Sequence, residues 1–150
     1  MNILFFLSPK QDLMYVYDDF TLRQTLEKWE NNRYASIPVL NRKGMYVGTL
    51  TEGDILWGLK RYHGLDIEGA EEIPISSFER KRDYLPVTVN TSMDQLVEAA
   101  MNQNFVPVID DRGVFIGIVR RQAIIKYCYD KSRRAEQAGR MVPAAAMAQS

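Results

Sequence analysis

Thr51 and Asp54 stand three residues apart at the opening of a helical pattern, and that spacing supports two chemistries. A hydroxyl and a carboxylate so placed can close a capping box, in which Thr51 accepts from a backbone N–H and Asp54 reaches back to another. The same carboxylate sits at a helix mouth, where free N–H groups and the positive dipole end favour anions. There it can accept hydrogen bonds from both hydroxyls of a vicinal diol such as ribose. The two roles are compatible. Arg120, 69 residues after Thr51, opens a second helical pattern together with Arg121. Two guanidinium forks there load the dipole unfavourably, and a bound phosphate would relieve them; two solvated arginines are the plain alternative.

Other reactive residues are sparse. His63 is the single histidine and Cys128 the single cysteine, 65 positions apart, which supports neither a metal site nor a nucleophile with its base. Cys128 falls on an apolar stripe with Ile124, so a buried, inert thiol is expected. Arg80-Lys81-Arg82 is flanked by Glu79 and Asp83, which fits a solvated loop or, alternatively, a reach toward a bound phosphate. The chain offers no nucleophile, base and orienting group at a useful spacing, so it reads as a non-enzyme.

What must position Thr51 and Arg120 is a duplicated unit. Pro38-Val39 and Pro107-Val108, Gly44 and Gly113, Gly48 and Gly117, and Ile55 and Ile124 match at a constant offset of 69. Each copy opens with an amphipathic helix, marked by Leu22, Leu26 and Trp29 in the first and by Met93, Val97 and Ala100 in the second. Two short apolar runs follow, separated by Asn41-Arg42-Lys43-Gly44 or Asp110-Asp111-Arg112-Gly113, which suits a hairpin. A second helix covers 51–62 or 120–134, and short extended segments at 13–17 and 87–89 precede the first helices. Trp29 belongs to a core stripe, whereas Trp57 is free to face a partner. The expected fold is α/β, two pseudo-symmetric β-α-β-β-α units packed as one module. Unit 1 covers 1–62, a connector 63–84, unit 2 85–131, and a partly disordered C-terminal tail 132–150.

The whole composition agrees with one compact body. At 150 residues and 17.3 kDa, burial of roughly 70% of the unfolded surface is feasible. Hydrophobic residues make up 46% and charged residues 25%, which excludes a disordered or fibrous chain. Nineteen basic and nineteen acidic residues cancel, so no general field gathers nucleic acid. One cysteine favours a reducing, cytoplasmic setting. The apolar start Ile3-Leu4-Phe5-Phe6-Leu7 is too short for a membrane span and reads as buried structure.

The duplicated Pro-Val, the turn with glycine and Val47-Gly48-Thr49-Leu50-Thr51-Glu52-Gly53-Asp54 resemble the signature of the cystathionine-β-synthase (CBS) domain. The tandem, over 8–129, resembles a CBS pair or Bateman module of the stand-alone bacterial type. The resemblance implies a sensor of adenosine-containing ligands: AMP, ADP, ATP, S-adenosylmethionine or cyclic di-AMP. It implies no obligatory cofactor, a homodimer, and a protein partner acted on in trans, since no part of the 150 residues is left for an output domain. It makes Asp54 the ribose ligand, with Thr51 beside it. Ser36, Ile37, Asn104, Val106 and the segment around Met14 match cleft-lining positions, with core packing as the alternative for Ile37, Val106 and Met14. Copy two departs from the pattern, carrying Arg120 and Ala123 where Thr51 and Asp54 stand. Arg120 and Arg121 would then hold phosphate while Asp54 reads the sugar. The competing reading is a dimeric, nucleotide-independent interaction scaffold with vestigial clefts.

Overall fold

The computed structural model describes residues 2–31, 34–62, 64, 66–80 and 83–149, with side chains through 139. Unit 1 contains β2 (Val16–Tyr17), α1 (Leu22–Asn31), β3 (Ser36–Leu40), β4 (Tyr46–Thr51) and α2 (Glu52–Tyr62). Unit 2 repeats the order with β5 (Val87–Thr88), α3 (Met93–Ala100), β6 (Phe105–Ile109), β7 (Phe115–Arg120) and α4 (Arg121–Gln149). Ahead of both lies β1 (Leu7–Pro9), reached through a 3-10 turn at Ile3–Phe6. The sheets run β2-β3-β4 and β1-β7-β6-β5, so the mixed α/β, two-unit expectation holds. β1 was not expected; it pairs antiparallel with β7, setting Pro9 opposite Gly117.

The hairpins follow from their turn residues. Asn41 Oδ1 accepts from the N–H groups of Lys43 and Met45, both at 3.0 Å, and Asp110 Oδ1 does the same for Arg112 and Val114 at 2.8 and 2.9 Å. Each turn then needs a left-handed residue, supplied by Gly44 (φ 81°) and Gly113 (φ 84°). The two tips meet: Phe115 N–H donates to Gly44 O at 3.0 Å, and Tyr46 stacks on Phe115 with centroids 6.3 Å apart. That contact joins the units through a shared layer including Leu40, Tyr84, Phe105 and Ile118. Each unit also has its own core, around Leu22, Trp29 and Ile37 in one and Leu96, Val106 and Ile124 in the other.

Pro38 and Pro107 explain where the surface opens. Both lie in an interior strand of their sheet, yet β2 pairs only with Val39 and Leu40, and β5 only with Val108 and Ile109. The missing N–H therefore falls where the strand is paired on one side alone, and residues 36–38 keep a free edge. Val16 and Val87 take equivalent pairings, so the repeat spacing is 71 residues ahead of the first helices and 69 after them. Leu13 thus corresponds to Tyr84.

Three further expectations differ from the structure. Cys128 is exposed although it shares a helix face with Ile124, because one turn further on α4 has run past the core. The helical backbone continues to Gln149 rather than fading near Arg134, although the residues described beyond Cys128 are all exposed. In the apolar N-terminal run, Ile3 is buried but Leu4 and Phe5 face outward. His63, Lys81 and Arg82 lie outside the described residues.

Candidate functional site

A cavity of about 390 Å³ lies between the units, against the free edge of β3, a volume suited to a small ligand. Its walls bring together residues separated by about a hundred positions. Tyr34, Ser36 and Pro38 come from unit 1, Asn104, Phe105 and Arg120 from unit 2, and Leu13 and Met14 close one end. Of the residues expected from the sequence, Met14, Ser36, Asn104 and Arg120 meet here. Ile37 and Val106 do not; both are fully buried, because alternate residues of β3 and β6 point into the core.

Arg120 ends β7 immediately before α4, so its guanidinium stands at the amino end of a 29-residue helix. Its Cζ lies 5.4 Å from the Tyr34 ring centroid, a cation–π pair. Among the described residues no carboxylate lies within ion-pair distance of it. A cation at a helix amino terminus is disfavoured by the dipole, so an anion entering this cavity meets two attractive sources at once. Tyr34 is held by its own backbone, whose carbonyl accepts from the Trp29 indole N–H. The sequence reading missed Tyr34, although its place two residues ahead of Ser36 puts it at the mouth of the same strand.

Arg121 takes a different role from the one expected. Its Nε donates to Ala100 O at 2.8 Å, tying α4 to the last turn of α3, where a cation complements the carbonyl end of the dipole. Thr51 and Asp54 also stand apart from the cavity. Thr51 N–H donates to Asp54 Oδ2 at 2.9 Å, and Asp54 N–H donates to Thr51 Oγ1 at 3.0 Å, a complete capping box with Asp54 only 7% exposed. Helices α1 and α3 open with the same reciprocal pattern, Thr21 with Gln24 and Ser92 with Gln95. In this chain the acid at position 54 thus does what glutamine does at two other helix starts. Copy two, with Arg120 and Ala123, cannot form such a box and leaves the amino end of α4 open beside the cavity.

The pseudo-equivalent region next to Thr51 is built from Tyr84 and its neighbours. Tyr84 is 6% exposed; its hydroxyl lies 3.4 Å from Ser36 Oγ and accepts from Asn104 N–H at 3.3 Å, and its ring meets Phe105 edge to face. Tyr46 donates its hydroxyl to Tyr84 O at 2.8 Å, and burial pushes that phenol's pKa up, so it stays a donor. Arg80 and Asp83 form an ion pair at 2.7 Å over Gly48, where a Cβ would lie only 2.6 Å from Arg80 Nε.

Comparison with known proteins agrees with this architecture. The CBS domain family model matches residues 7–61 and 75–130. An uncharacterized protein of Methanocaldococcus jannaschii is 22% identical over 137 residues, which cover 83% of this chain and 49% of that one, so the chain spans about half the length of the curated relative it matches. A CBS domain protein from Streptococcus pneumoniae superposes with a TM-score of 0.75 at 24% identity, covering 85% of this chain and 86% of its own. The CbpB protein of Listeria monocytogenes, solved in complex with c-di-AMP, superposes with a TM-score of 0.73 at 17% identity, covering 87% and 97%. No helix among the described residues is long and apolar enough to cross a membrane.

Proposed function

The chain belongs to the CBS-domain family, with two copies of the domain in tandem, and we propose that it is a regulatory module that takes an adenine nucleotide into the cleft lined by Tyr34 and Arg120 and thereby alters its engagement of a protein partner in trans. The observation that carries this reading is a roughly 390 Å³ cavity whose one cationic wall residue lacks a described carboxylate partner and sits at the amino end of a long helix. Arg120 pairs with phosphate. Tyr34, Met14 and Phe105 supply apolar and aromatic surface for the base, and the Asn104 side-chain amide offers polar contacts to its edge or to the sugar, while Ser36 lines the wall with its hydroxyl turned to Tyr84. Tandem CBS proteins are generally regulatory rather than catalytic. No group of three or more metal-ligating side chains stands among the described residues. The c-di-AMP bound by the Listeria relative supports adenine as the base class.

Isothermal titration with AMP, ADP, ATP, cyclic di-AMP and S-adenosylmethionine tests the reading. Binding of at least one is expected, and no heat from any of them up to on the order of 1 mM would overturn it. A second reading, a nucleotide-independent dimeric scaffold, draws on the exposed Leu56, Trp57, Ile125 and Tyr129 of α2 and α4. Sedimentation showing one dimer and one partner complex, with and without saturating nucleotide, would favour it.

A further inference from the structure

We propose that Tyr84 is a built-in occupant of the second cleft and limits the chain to one nucleotide. The proposal rests on the nucleotide-binding reading above for its ligand, and on side-chain geometry for its mechanism. The pairing register makes Tyr84 the counterpart of Leu13. Leu13 lines the open cavity without filling it, whereas Tyr84 drives a ring and hydroxyl between the two pre-proline segments. That hydroxyl takes up the Asn104 N–H and approaches Ser36 Oγ, two polar groups that a bound nucleoside in this second cleft would need.

The occupant is clamped by residues whose counterparts on the open side are chemically different. Tyr46, which holds Tyr84 O, is replaced by Phe115 in unit 2, and Phe115 has no hydroxyl to donate. Gln103 is 6% exposed and binds both sides of the Leu85 peptide, accepting from its N–H at 3.1 Å and donating to its carbonyl at 3.3 Å. Its counterpart is Tyr34, the residue that flanks Arg120 in the open cleft. Asp83 accepts from Thr49 N–H at 3.4 Å and pairs with Arg80 across Gly48. One set of positions therefore frames a cavity in one half and holds a tyrosine in the other.

Titration stoichiometry with AMP and ATP, combined with amide hydrogen exchange, tests this. Wild type should bind one nucleotide per chain. Tyr84→Leu, which copies the open side and keeps an apolar side chain for folding, should bind two, and Tyr84→Phe, which keeps the ring, should bind one. In nucleotide-free wild type the Asn104 amide should be protected, and Tyr84→Phe should speed its exchange by about 2- to 12-fold, one lost neutral hydrogen bond's worth. Two nucleotides on wild type, or one on a folded Tyr84→Leu variant, would overturn the occupant while leaving the binding reading intact. If wild type binds neither probe, the binding reading fails for them, and the exchange measurement still decides: an unprotected Asn104 amide in wild type refutes Tyr84 as occupant, and a protected one freed by Tyr84→Phe supports it.

Discussion

Replacing Asp54 separates a helix cap from a sugar ligand. The carboxylate accepts one backbone N–H at 2.9 Å, and its own N–H is satisfied by Thr51 at 3.0 Å. Losing a hydrogen bond to a charged group costs about 1.5–3 kcal/mol. Removing an acid from the first turn of a helix costs a further ~0.3–1 kcal/mol. Asp54→Ala should therefore destabilise the fold by about 2–4 kcal/mol, which for a domain of this length lowers Tm by roughly 4–16 °C. Asp54→Asn keeps an acceptor oxygen and should recover at least about half of that loss. Because neither Thr51 nor Asp54 lines the open cavity, nucleotide affinity of the Asn variant should stay within about threefold of wild type, below 1 kcal/mol. Differential scanning calorimetry and titration on the same samples give both numbers. An Asp54→Asn variant with unchanged Tm and affinity reduced by more than about tenfold would refute the assignment and restore the carboxylate to the ligand.

The two arginines should part company: Arg120→Ala should weaken nucleotide binding by about 10- to 150-fold, the value of one charge-assisted hydrogen bond, with little change in Tm. Arg121→Ala, which removes the bond to Ala100 O, should lower stability by about 1.5–3 kcal/mol and leave affinity alone; the opposite pattern in paired titrations and melts would reverse their roles. At Gly58, inside α2, a Cβ would collide with the buried Phe78 ring. Gly58→Ala gains about 1 kcal/mol of helix propensity but incurs about 1–3 kcal/mol of overpacking, so urea melts should show a net loss, and stabilisation would show that the ring yields. The Arg42 guanidinium hydrogen-bonds Asp19 and holds its carboxyl below the ordinary 3.8. The stability that Asp19 adds over Asp19→Asn is therefore present above 3.8 and fades as pH falls through the lowered value; urea midpoints that keep their separation at the acid end would contradict that sign.

How much was legible in the sequence depended on how local each determinant is. The hairpins were readable because Asn41 with Gly44 and Asp110 with Gly113 carry the whole turn within four residues, and Trp29 because three residues of one helix stripe suffice. The free edges were half visible. Pro38 and Pro107 marked the cleft, but period-two alternation separates Ser36 from Ile37, and applying it would have sent Ile37 and Val106 to the core at the outset. β1 was not legible, since three residues are too few for a period and their partner lies more than a hundred positions away in β7. Tyr84 was hidden for a similar reason. Its meaning comes from Ser36, Tyr46 and Asn104, none adjacent to it, and from a two-residue change in repeat spacing that strand pairing reveals.

The repeat constrains the two halves unequally. Backbone-determined features recur, because a turn needing a left-handed residue and a strand edge lacking an N–H admit few substitutes. Cleft side chains face no such restriction, and there the halves diverge in concert. Where unit 1 closes a capping box with Thr51 and Asp54, unit 2 has Arg120 and Ala123 and leaves the mouth of α4 cationic. Where unit 1 has Leu13 and Tyr34 around an open space, unit 2 has Tyr84 and Gln103 locked into a hydrogen-bonded cluster. Each substitution that fills one cleft is matched by one that opens or charges the other. A single ligand bound off the pseudo-axis would then act on the units unequally, drawing on the mouth of α4 while the Tyr84 side stays fixed, and such asymmetric binding is able to tilt one half against the other.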